Sequence, residues 1–142
     1  MSECIFCAIV AGDAPASILL DEPDVLAFMD IRPFTPGHLL VVPKRHASGL
    51  AQLDPADGAK VFAAGQRIAT AMRSGDLPID GVNLFLADGV AAGQEVFHVH
   101  LHLVPRTSGD GFGIRARAQT PNRTVLDGTA DALRAAVESF GA

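Results

Sequence analysis

The stretch that most constrains the fold of this chain is residues 98–102, where histidine and aliphatic side chains alternate as His-Val-His-Leu-His. Successive side chains of a β-strand point to opposite faces, so the alternation predicts a strand over residues 96–104 with three imidazoles on one face. Val99, Leu101 and Leu103 would share the other face, and Pro105 would end the strand. At about 3.3 Å per residue, the Cα atoms of the outer two histidines lie roughly 13 Å apart. Metal–nitrogen bonds are only about 2.0–2.1 Å long, so one ion is not expected to gather all three rings.

The remaining apolar segments predict four more strands and three helices. We expect strands at residues 17–20, 25–29, 38–42 and 82–86, a long helix from Pro55 to about residue 73, a short helix at residues 4–10 and a last helix near residues 129–140. Asp54 is the predicted N-cap of the long helix. Because short turns join most of these strands, the predicted fold class is α+β: an antiparallel sheet with its helices on one side.

Length and composition exclude several classes of protein. The chain has 142 residues, of which 49% are hydrophobic and 19% charged, which predicts one domain over residues 1–142 and excludes a mainly disordered protein. A formal net charge of −5 argues against a protein that coats nucleic acid. No apolar run approaches the roughly 20 residues of a membrane span, and the N-terminus lacks a secretory signal pattern. The two cysteines, Cys4 and Cys7, cannot form a disulfide framework, which favours a cytoplasmic setting.

Three interpretations of the histidine segment are open from the residues alone. The rings could be structural, although buried unpaired imidazoles are costly. His98 and His100 could form a His-x-His metal pair. The central ring could instead be a nucleophile, because a neutral imidazole has one nitrogen with an available lone pair. The negative phosphoryl oxygens would then need donors nearby, and Gly93 and Gln94 could supply them.

Residues 93–106 (GQEVFHVHLHLVPR) resemble the signature of the histidine triad (HIT) family of nucleotide hydrolases and transferases. Residues 26–33 (LAFMDIRP) and 36–46 (PGHLLVVPKRH) extend the likeness. The resemblance covers residues 4 to about 112 and leaves residues 113–142 as a C-terminal tail with a helix. It implies a HIT-like fold, with a five-stranded antiparallel sheet, a long helix and short terminal helices. It also implies a homodimer whose sheets join.

The resemblance gives each histidine of the predicted site a role. His100 would attack the α-phosphorus of a nucleotide and form a nucleotidyl–enzyme intermediate, with no catalytic metal and no organic cofactor. His102 would contact the phosphate and the neighbouring leaving-group oxygen. His38 would support the site from an adjacent strand, and the carbonyl of His98 would hold the tautomer of His100.

A bound purine nucleotide would meet polar and apolar residues. By the same resemblance, Gln94 and the backbone around Gly93 would donate to the phosphate, and Asp30 would accept from the ribose hydroxyls. The alternative for Asp30 is a turn residue that caps a strand. The predicted purine slot consists of Ile5, Phe6, Ile9, Phe28 and Ile31. Without the resemblance, these five residues would be assigned to the core.

Two positions depart from the family pattern. Glu95 replaces the serine or threonine that usually follows the glutamine, and an ionised carboxylate cannot donate to phosphate. Glu95 would either point away from the site or favour a cationic leaving group such as an amine. Ala87 stands where Hint-type relatives carry an asparagine that touches the substrate. Both departures concern the leaving group and leave His100 untouched.

The Cys-x-x-Cys pair at Cys4 and Cys7 is a weak signal by itself. Relatives that combine this pair with a Pro-x-x-His motif hold a structural zinc, which implies Cys4, Cys7, His46 and His98 as its ligands here. A Cys₂His₂ set is closed and has no open position for catalysis. The alternatives are two inert buried thiols, or a redox pair, for which a thioredoxin-like pattern is lacking.

The sequence therefore predicts a HIT-type nucleotide hydrolase. Its substrate would be a nucleoside phosphoramidate or a dinucleoside polyphosphate, because the chain mixes features of the branches that split each. One alternative is a zinc-dependent hydrolase in which His98 and His100 bind a catalytic ion. Another is a non-catalytic regulator that binds a purine nucleotide.

Overall fold

The computed structural model describes residues 3–141, which divide into two compact units at the boundary between Phe112 and Gly113. The first unit contains helices α1 (Ile5–Ala11) and α2 (Pro55–Met72), and strands β1 (Ile18–Asp21), β2 (Val25–Met29), β3 (Leu39–Pro43), β4 (Gly81–Phe85) and β5 (Leu101–Arg106). Two short 3₁₀ turns, Leu50–Gln52 and Val90–Ala92, lie between these elements. The second unit contains helix α3 (Arg123–Gly141). Within residues 3–141, no helix is both long and apolar enough to cross a membrane.

The five strands form one antiparallel sheet in the order β1-β2-β3-β5-β4. The predicted α+β class and five-stranded antiparallel sheet are confirmed. Strand β3 lies in the centre of the sheet and is buried throughout, as its continuous apolar sequence predicts. The pairing places His102 of β5 opposite Leu40 of β3 and Phe85 of β4.

Helix α2 begins and packs as the sequence predicts. The side chain of Asp54 accepts a hydrogen bond from the backbone nitrogen of Ala56 at 2.8 Å, and Pro55 occupies the first turn. A Cβ atom at Gly65 would lie 2.8 Å from Cδ2 of Leu101, so the glycine permits a close approach of α2 to β5. The buried core on this side of the sheet comprises Val25, Ala27, Leu39, Val41, Val61, Ala64, Ile68, Leu101 and Leu103.

The prediction that the helices share one side of the sheet is wrong. Strand residues alternate between two separate clusters, and the second cluster contains Phe6 and Ile9 of α1. Its strand members are Leu26, Phe28, Leu40 and Val42. Helix α1 therefore covers the face opposite α2, because its two buried apolar residues need a partner surface of their own.

Two predicted boundaries are also wrong. Residues 96–100 lie outside the sheet ladder, which begins at Leu101 and runs through Pro105 to Arg106. Pro105 is tolerated because β5 pairs with β3 only at residues 101–103, so its missing N–H interrupts no bond to the central strand. Helix α3 begins at Arg123, several residues before the predicted start.

Candidate functional site

The three histidines of the alternating segment lie together beside helix α1, although only His102 belongs to a strand. The rings of His98 and His100 meet Phe6 edge-on, with centroid distances of 6.0 and 5.1 Å. The rings of His100 and His102 are 4.8 Å apart. Outside the ladder, Val99 is held by a 2.8 Å hydrogen bond from its backbone nitrogen to the carbonyl of Ala47.

The tautomer of His100 follows from its contact with the chain. Nδ1 of His100 lies 2.8 Å from the carbonyl oxygen of His98, and a carbonyl can only accept. Nδ1 therefore carries the proton, and Nε2 keeps its lone pair. Burial lowers the pKa of His100, which favours the neutral ring. The arrangement can present a neutral imidazole nitrogen as a nucleophile.

A second chain of contacts fixes the protons of His38 and His102. The backbone nitrogen of Phe34 donates to Nδ1 of His38 at 3.0 Å, so the ring proton of His38 lies on Nε2. Nε2 of His38 is 3.0 Å from Nδ1 of His102 and donates to it. The proton of His102 is thereby placed on Nε2, which becomes a hydrogen-bond donor.

Burial keeps this histidine pair uncharged. His38 is fully buried, and burial lowers its pKa against an opposing effect of Asp30. Burial, together with the neighbouring His100 and His38, lowers the pKa of His102 to about 4. At neutral pH, the donor on Nε2 of His102 is therefore a neutral imidazole.

Asp30 makes the turn-capping contact that is one of its two predicted roles, and its role toward a ribose stays a prediction. One carboxylate oxygen accepts a 2.8 Å hydrogen bond from the backbone nitrogen of Arg32, which is the turn-capping contact. The other oxygen lies 3.5 Å from Nε2 of His38. A carboxylate has about four acceptor positions, so the turn contact leaves capacity for a ligand hydroxyl.

The predicted phosphate donors at Gly93 and Gln94 are engaged within the protein in this structure, and their donation to a phosphate stays a prediction. The side-chain nitrogen of Gln94 donates to the carbonyls of Ser48 at 2.8 Å and Val96 at 3.1 Å, and its oxygen accepts from the backbone nitrogen of Gly89. The backbone nitrogens of Gly93 and Gln94 donate to the carbonyls of Val90 and Gly89. In this conformation, Gln94 holds the preceding loop in place.

The five residues of the predicted purine slot separate into two groups. Phe6, Ile9 and Phe28 are buried in the cluster beneath α1, and the rings of Phe6 and Phe28 meet edge-on at 5.3 Å. Ile5 is half exposed and Ile31 is 91% exposed, so neither belongs to that cluster. Three of the five therefore form an apolar wall beneath α1, in which Phe6 contacts the ring of His100, and two lie on the surface.

Glu95 points into solvent. Its side chain is 80% exposed and lies 3.5 Å from the equally exposed guanidinium of Arg32. Exposed pairs of this kind contribute little to stability, so the carboxylate is not fixed in this position.

Cys4, Cys7, His46 and His98 form a compact group whose ligand atoms all lie within 4.8 Å of one another. Nδ1 of His98 is 3.4 Å from Sγ of Cys4, 3.5 Å from Sγ of Cys7 and 3.2 Å from Nδ1 of His46. The edges of a tetrahedron with ordinary Zn–N and Zn–S bonds are about 3.3–3.8 Å long. The observed separations match those edges, so the residues fit a zinc ion.

The tautomer of His98 also fits a metal ligand. Nε2 of His98 is 2.7 Å from the carbonyl oxygen of Pro43, so Nε2 carries the proton and Nδ1 keeps its lone pair. Cys4 is the N-cap of α1, and its sulfur accepts from the backbone nitrogen of Cys7 at 3.3 Å. The four residues therefore bring the start of α1, the segment after β3 and the segment before β5 to one point.

Asp30, His38 and His102 form a second compact group of possible ligands, but they do not fit a cation. Nδ1 of His38 already accepts the backbone N–H of Phe34, so the proton must lie on Nε2, the atom that faces the group. A metal ion there would require the neutral ring of His38 to lose its one N–H proton and become an imidazolate.

The sequence did not predict the aromatic neighbours of the histidine pair. The ring of Phe85 stacks on His102 at 4.3 Å, and the ring of Phe34 lies 4.8 Å from His38. The position of Phe34, four residues before His38, is the one available signal, because the intervening Pro and Gly predict a turn back on itself.

The profile of the HIT domain matches this chain over residues 11–109. An uncharacterised HIT-like protein of Mycobacterium tuberculosis is 49% identical over 111 residues, which are 78% of this chain and 76% of that protein. An adenylylsulfatase of Arabidopsis thaliana is 33% identical over 109 residues, which are 77% of this chain and 55% of that protein.

Two solved structures share the fold of this chain. A zinc-bound histidine triad family protein from Mycobacterium smegmatis is 45% identical, with a TM-score of 0.76 over 97% of each chain. A histidine triad nucleotide-binding protein from Candida albicans is 25% identical, with a TM-score of 0.87 over 97% of this chain and 99% of that one.

Proposed function

This chain belongs to the HIT domain family, and on that premise we propose that it is a nucleotide hydrolase or transferase whose nucleophile is Nε2 of His100. The observation that carries the proposal is the 2.8 Å hydrogen bond from Nδ1 of His100 to the carbonyl of His98, which leaves the lone pair on Nε2. The descriptions of two relatives, the A. thaliana adenylylsulfatase and the C. albicans nucleotide-binding protein, support a nucleotide ligand.

The proposed reaction proceeds through a covalent intermediate. The lone pair on Nε2 of His100 forms a bond to the α-phosphorus while the bond from phosphorus to the leaving group breaks. The leaving group departs with that electron pair. Water then adds to phosphorus and gives up a proton, and the phosphorus–nitrogen bond breaks to return the lone pair to Nε2. The proton from water balances the leaving group, so the net reaction is hydrolysis.

The neighbouring histidines stabilise the reacting phosphate in this proposal. The N–H at Nε2 of His102 donates to a phosphoryl or leaving-group oxygen. The hydrogen bond from Nε2 of His38 to Nδ1 of His102 keeps the proton of His102 on Nε2. The carboxylate of Asp30 accepts hydrogen bonds from the ribose hydroxyls.

The apolar wall formed by Phe6, Ile9 and Phe28 would pack against a purine base. Ile5 and Ile31, which are exposed here, would be covered by that base. Apolar walls do not read the hydrogen-bonding edges of a base, so adenine and guanine would be weakly distinguished. The leaving group would be an amine, as in a nucleoside phosphoramidate, or a nucleotide phosphate, as in a dinucleoside polyphosphate.

We assign Cys4, Cys7, His46 and His98 to a structural zinc ion. The donor set, the separations that match a tetrahedron and the zinc-bound M. smegmatis relative support this assignment. A zinc ion with four protein ligands supplies cross-linking of the fold and no catalytic chemistry. No step of the proposed reaction requires a metal.

Two further proposals concern the setting of the protein. Strand β4 ends the sheet, and its outer edge is available for a second copy, which supports a homodimer whose sheets join. Thiolate ligands at Cys4 and Cys7 must stay reduced, which supports a cytoplasmic location. The net charge of −5 supports a small nucleotide as partner in preference to a nucleic acid.

The test is a turnover assay with a panel of adenylated amines and dinucleoside polyphosphates, with and without a chelator. We expect release of nucleoside monophosphate, with an initial rate that the chelator leaves unchanged. The His100→Asn variant should bind nucleotide without turnover. Immediate loss of activity on chelation, restored by metal, would instead indicate a zinc hydrolase that uses His98 and His100. Tight binding of nucleotide with no product from any substrate would indicate a regulator.

A further inference from the structure

The turn that follows β5 is held by hydrogen bonds within the turn and by one to β4. Nε and Nη2 of Arg106 each donate to a carboxylate oxygen of Asp110 at 2.7 Å, and Nη1 donates to Oδ1 of Asn83 at 2.7 Å. The carboxylate of Asp110 also accepts from the backbone nitrogens of Thr107 at 3.0 Å and Phe112 at 3.1 Å. A two-point guanidinium–carboxylate contact fixes direction as well as distance, so this turn holds Phe112 in one position.

Phe112 connects this turn to the histidine pair through stacked rings. Its ring lies 5.1 Å from the ring of Phe34 at an interplanar angle of 19°, and Cζ of Arg106 lies 4.9 Å from the centroid of Phe112. The ring of Phe34 also lies 4.8 Å from the ring of His38. Phe34 is nevertheless 55% exposed, so core packing does not account for its position.

Phe34 is also the residue whose backbone N–H sets the tautomer of His38. If Phe34 moved, Nδ1 of His38 would lose its donor, and its proton would no longer be confined to Nε2. Nδ1 of His102 accepts the hydrogen bond from that N–H, so the donor of His102 on Nε2 depends on the same contact. Which ring nitrogens of His38 and His102 carry protons therefore depends on the position of Phe34.

We propose that Phe34 and Phe112, anchored by the Arg106–Asp110 pair, are positioning residues that fix the Nε2–H tautomers of His38 and His102. The catalytic part of this inference rests on the proposed function, because it assigns the N–H of His102 to the reacting phosphate. The tautomer part does not depend on turnover. Residues 106–112 thus belong to the machinery of the site, although none of them contacts His102 through a hydrogen bond that the structure shows.

The test compares Phe112→Leu with a matched control, Phe62→Leu, whose ring on α2 is 57% exposed. Leucine keeps an apolar side chain but cannot stack. Nitrogen-15 NMR of the imidazoles is practical because the chain has five histidines. It reports the tautomer of each ring without substrate. In Phe112→Leu we expect mixed tautomers at His38 and His102, a kcat lowered roughly tenfold and a KM within about twofold.

Two further variants keep the inference falsifiable if Phe112→Leu folds poorly. Phe112→Tyr retains the stack and should restore single tautomers and kcat, whereas Asp110→Asn should weaken the anchor and give an intermediate mixture. Single Nε2–H tautomers at His38 and His102 in both Phe112→Leu and Asp110→Asn would overturn the proposal, even if the melting temperature fell. Because the NMR result needs no turnover, an inactive wild-type protein would count against the proposed function alone.

Discussion

Two groups of side chains in this protein each bring possible metal ligands within 4.8 Å of one another, and a backbone contact on one histidine of each group distinguishes them. In the group formed by Cys4, Cys7, His46 and His98, the far nitrogen of His98 faces the carbonyl of Pro43. In the group formed by Asp30, His38 and His102, the far nitrogen of His38 faces a backbone N–H. The carbonyl leaves a lone pair inside the first group, whereas the N–H leaves a proton inside the second. Proximity alone would have assigned a metal to both.

His98 connects the candidate zinc group to His100. The imidazole of His98 belongs to the candidate zinc group, and its carbonyl oxygen accepts a hydrogen bond from Nδ1 of His100. His98, the candidate zinc ligand, is thus distinct from the proposed nucleophile, which lies two residues further along the chain. Variants of the two groups should therefore lose zinc or activity separately.

The largest effect is expected from His100→Asn. Loss of the nucleophile should lower kcat/KM by at least about 10³-fold, because the covalent route is removed. The zinc content should remain at one ion per chain, measured by native mass spectrometry. A variant that lost both activity and zinc would show that His100 belongs to the metal group.

Removal of one zinc ligand should lower the free energy of unfolding, and this effect should distinguish the candidate zinc group from the group formed by Asp30, His38 and His102. Cys7→Ser should lose the ion and, where zinc exceeds its Kd a thousandfold, lose about 4 kcal/mol of unfolding free energy. His38→Asn should retain one zinc ion. Denaturant unfolding with and without a chelator measures the difference. If His38→Asn also lost an ion, the proton order assigned to the second group would be wrong.

The histidine pair should make stability depend on pH. The pKa of His102 is lowered to about 4 from 6.5, so the unfolded state binds more protons between these values and stability is lost as the pH falls. Between pH 7 and pH 5 the loss from this group should be about 2 kcal/mol. His38 contributes in the same direction, because its pKa is also lowered.

The control for this prediction is His102→Asn, which retains the same zinc group. Its unfolding free energy should fall less between pH 7 and pH 5 than that of the parent. Equal losses in the two proteins would mean that His102 carries no such shift.

The smallest effect is expected from Glu95→Ser. The carboxylate is exposed, so its preference for a cationic leaving group should change the ratio of kcat/KM values for amine and phosphate leaving groups by only about two- to fivefold. Gln52→Ser is a surface control on the first 3₁₀ turn. An unchanged ratio in Glu95→Ser would remove the amine hypothesis.

The sequence predicted an element correctly where the residue types alone indicate whether each side chain is buried or caps a helix. The continuous apolar run of β3 and the N-cap of α2 predicted those elements well. The predicted strand over residues 96–104 began five residues too early, because alternation reports which face a side chain takes and not whether the backbone pairs. The loop before β5 keeps the alternation without a ladder.

The candidate site shows the same limit. The residues of the two ligand groups could be named from motifs, but their proton positions depend on Pro43 and Phe34, whose backbone contacts no motif contains. The internal partners of Gln94 were also not predictable, since its amide bonds both its own loop and the carbonyl of Ser48, which lies 46 residues earlier in the chain. Partners that arise from tertiary contact could not be predicted from residue type.

The most direct measurement traps the intermediate. A single-turnover reaction with a labelled adenylated substrate is stopped with denaturant at alkaline pH, which protects a phosphorus–nitrogen bond, and the attached nucleotide is located by peptide mass spectrometry. The account predicts one nucleotidyl group on the ring of His100, and none in His100→Asn. A nucleotidyl group on any other residue, or full turnover by His100→Asn, would contradict it.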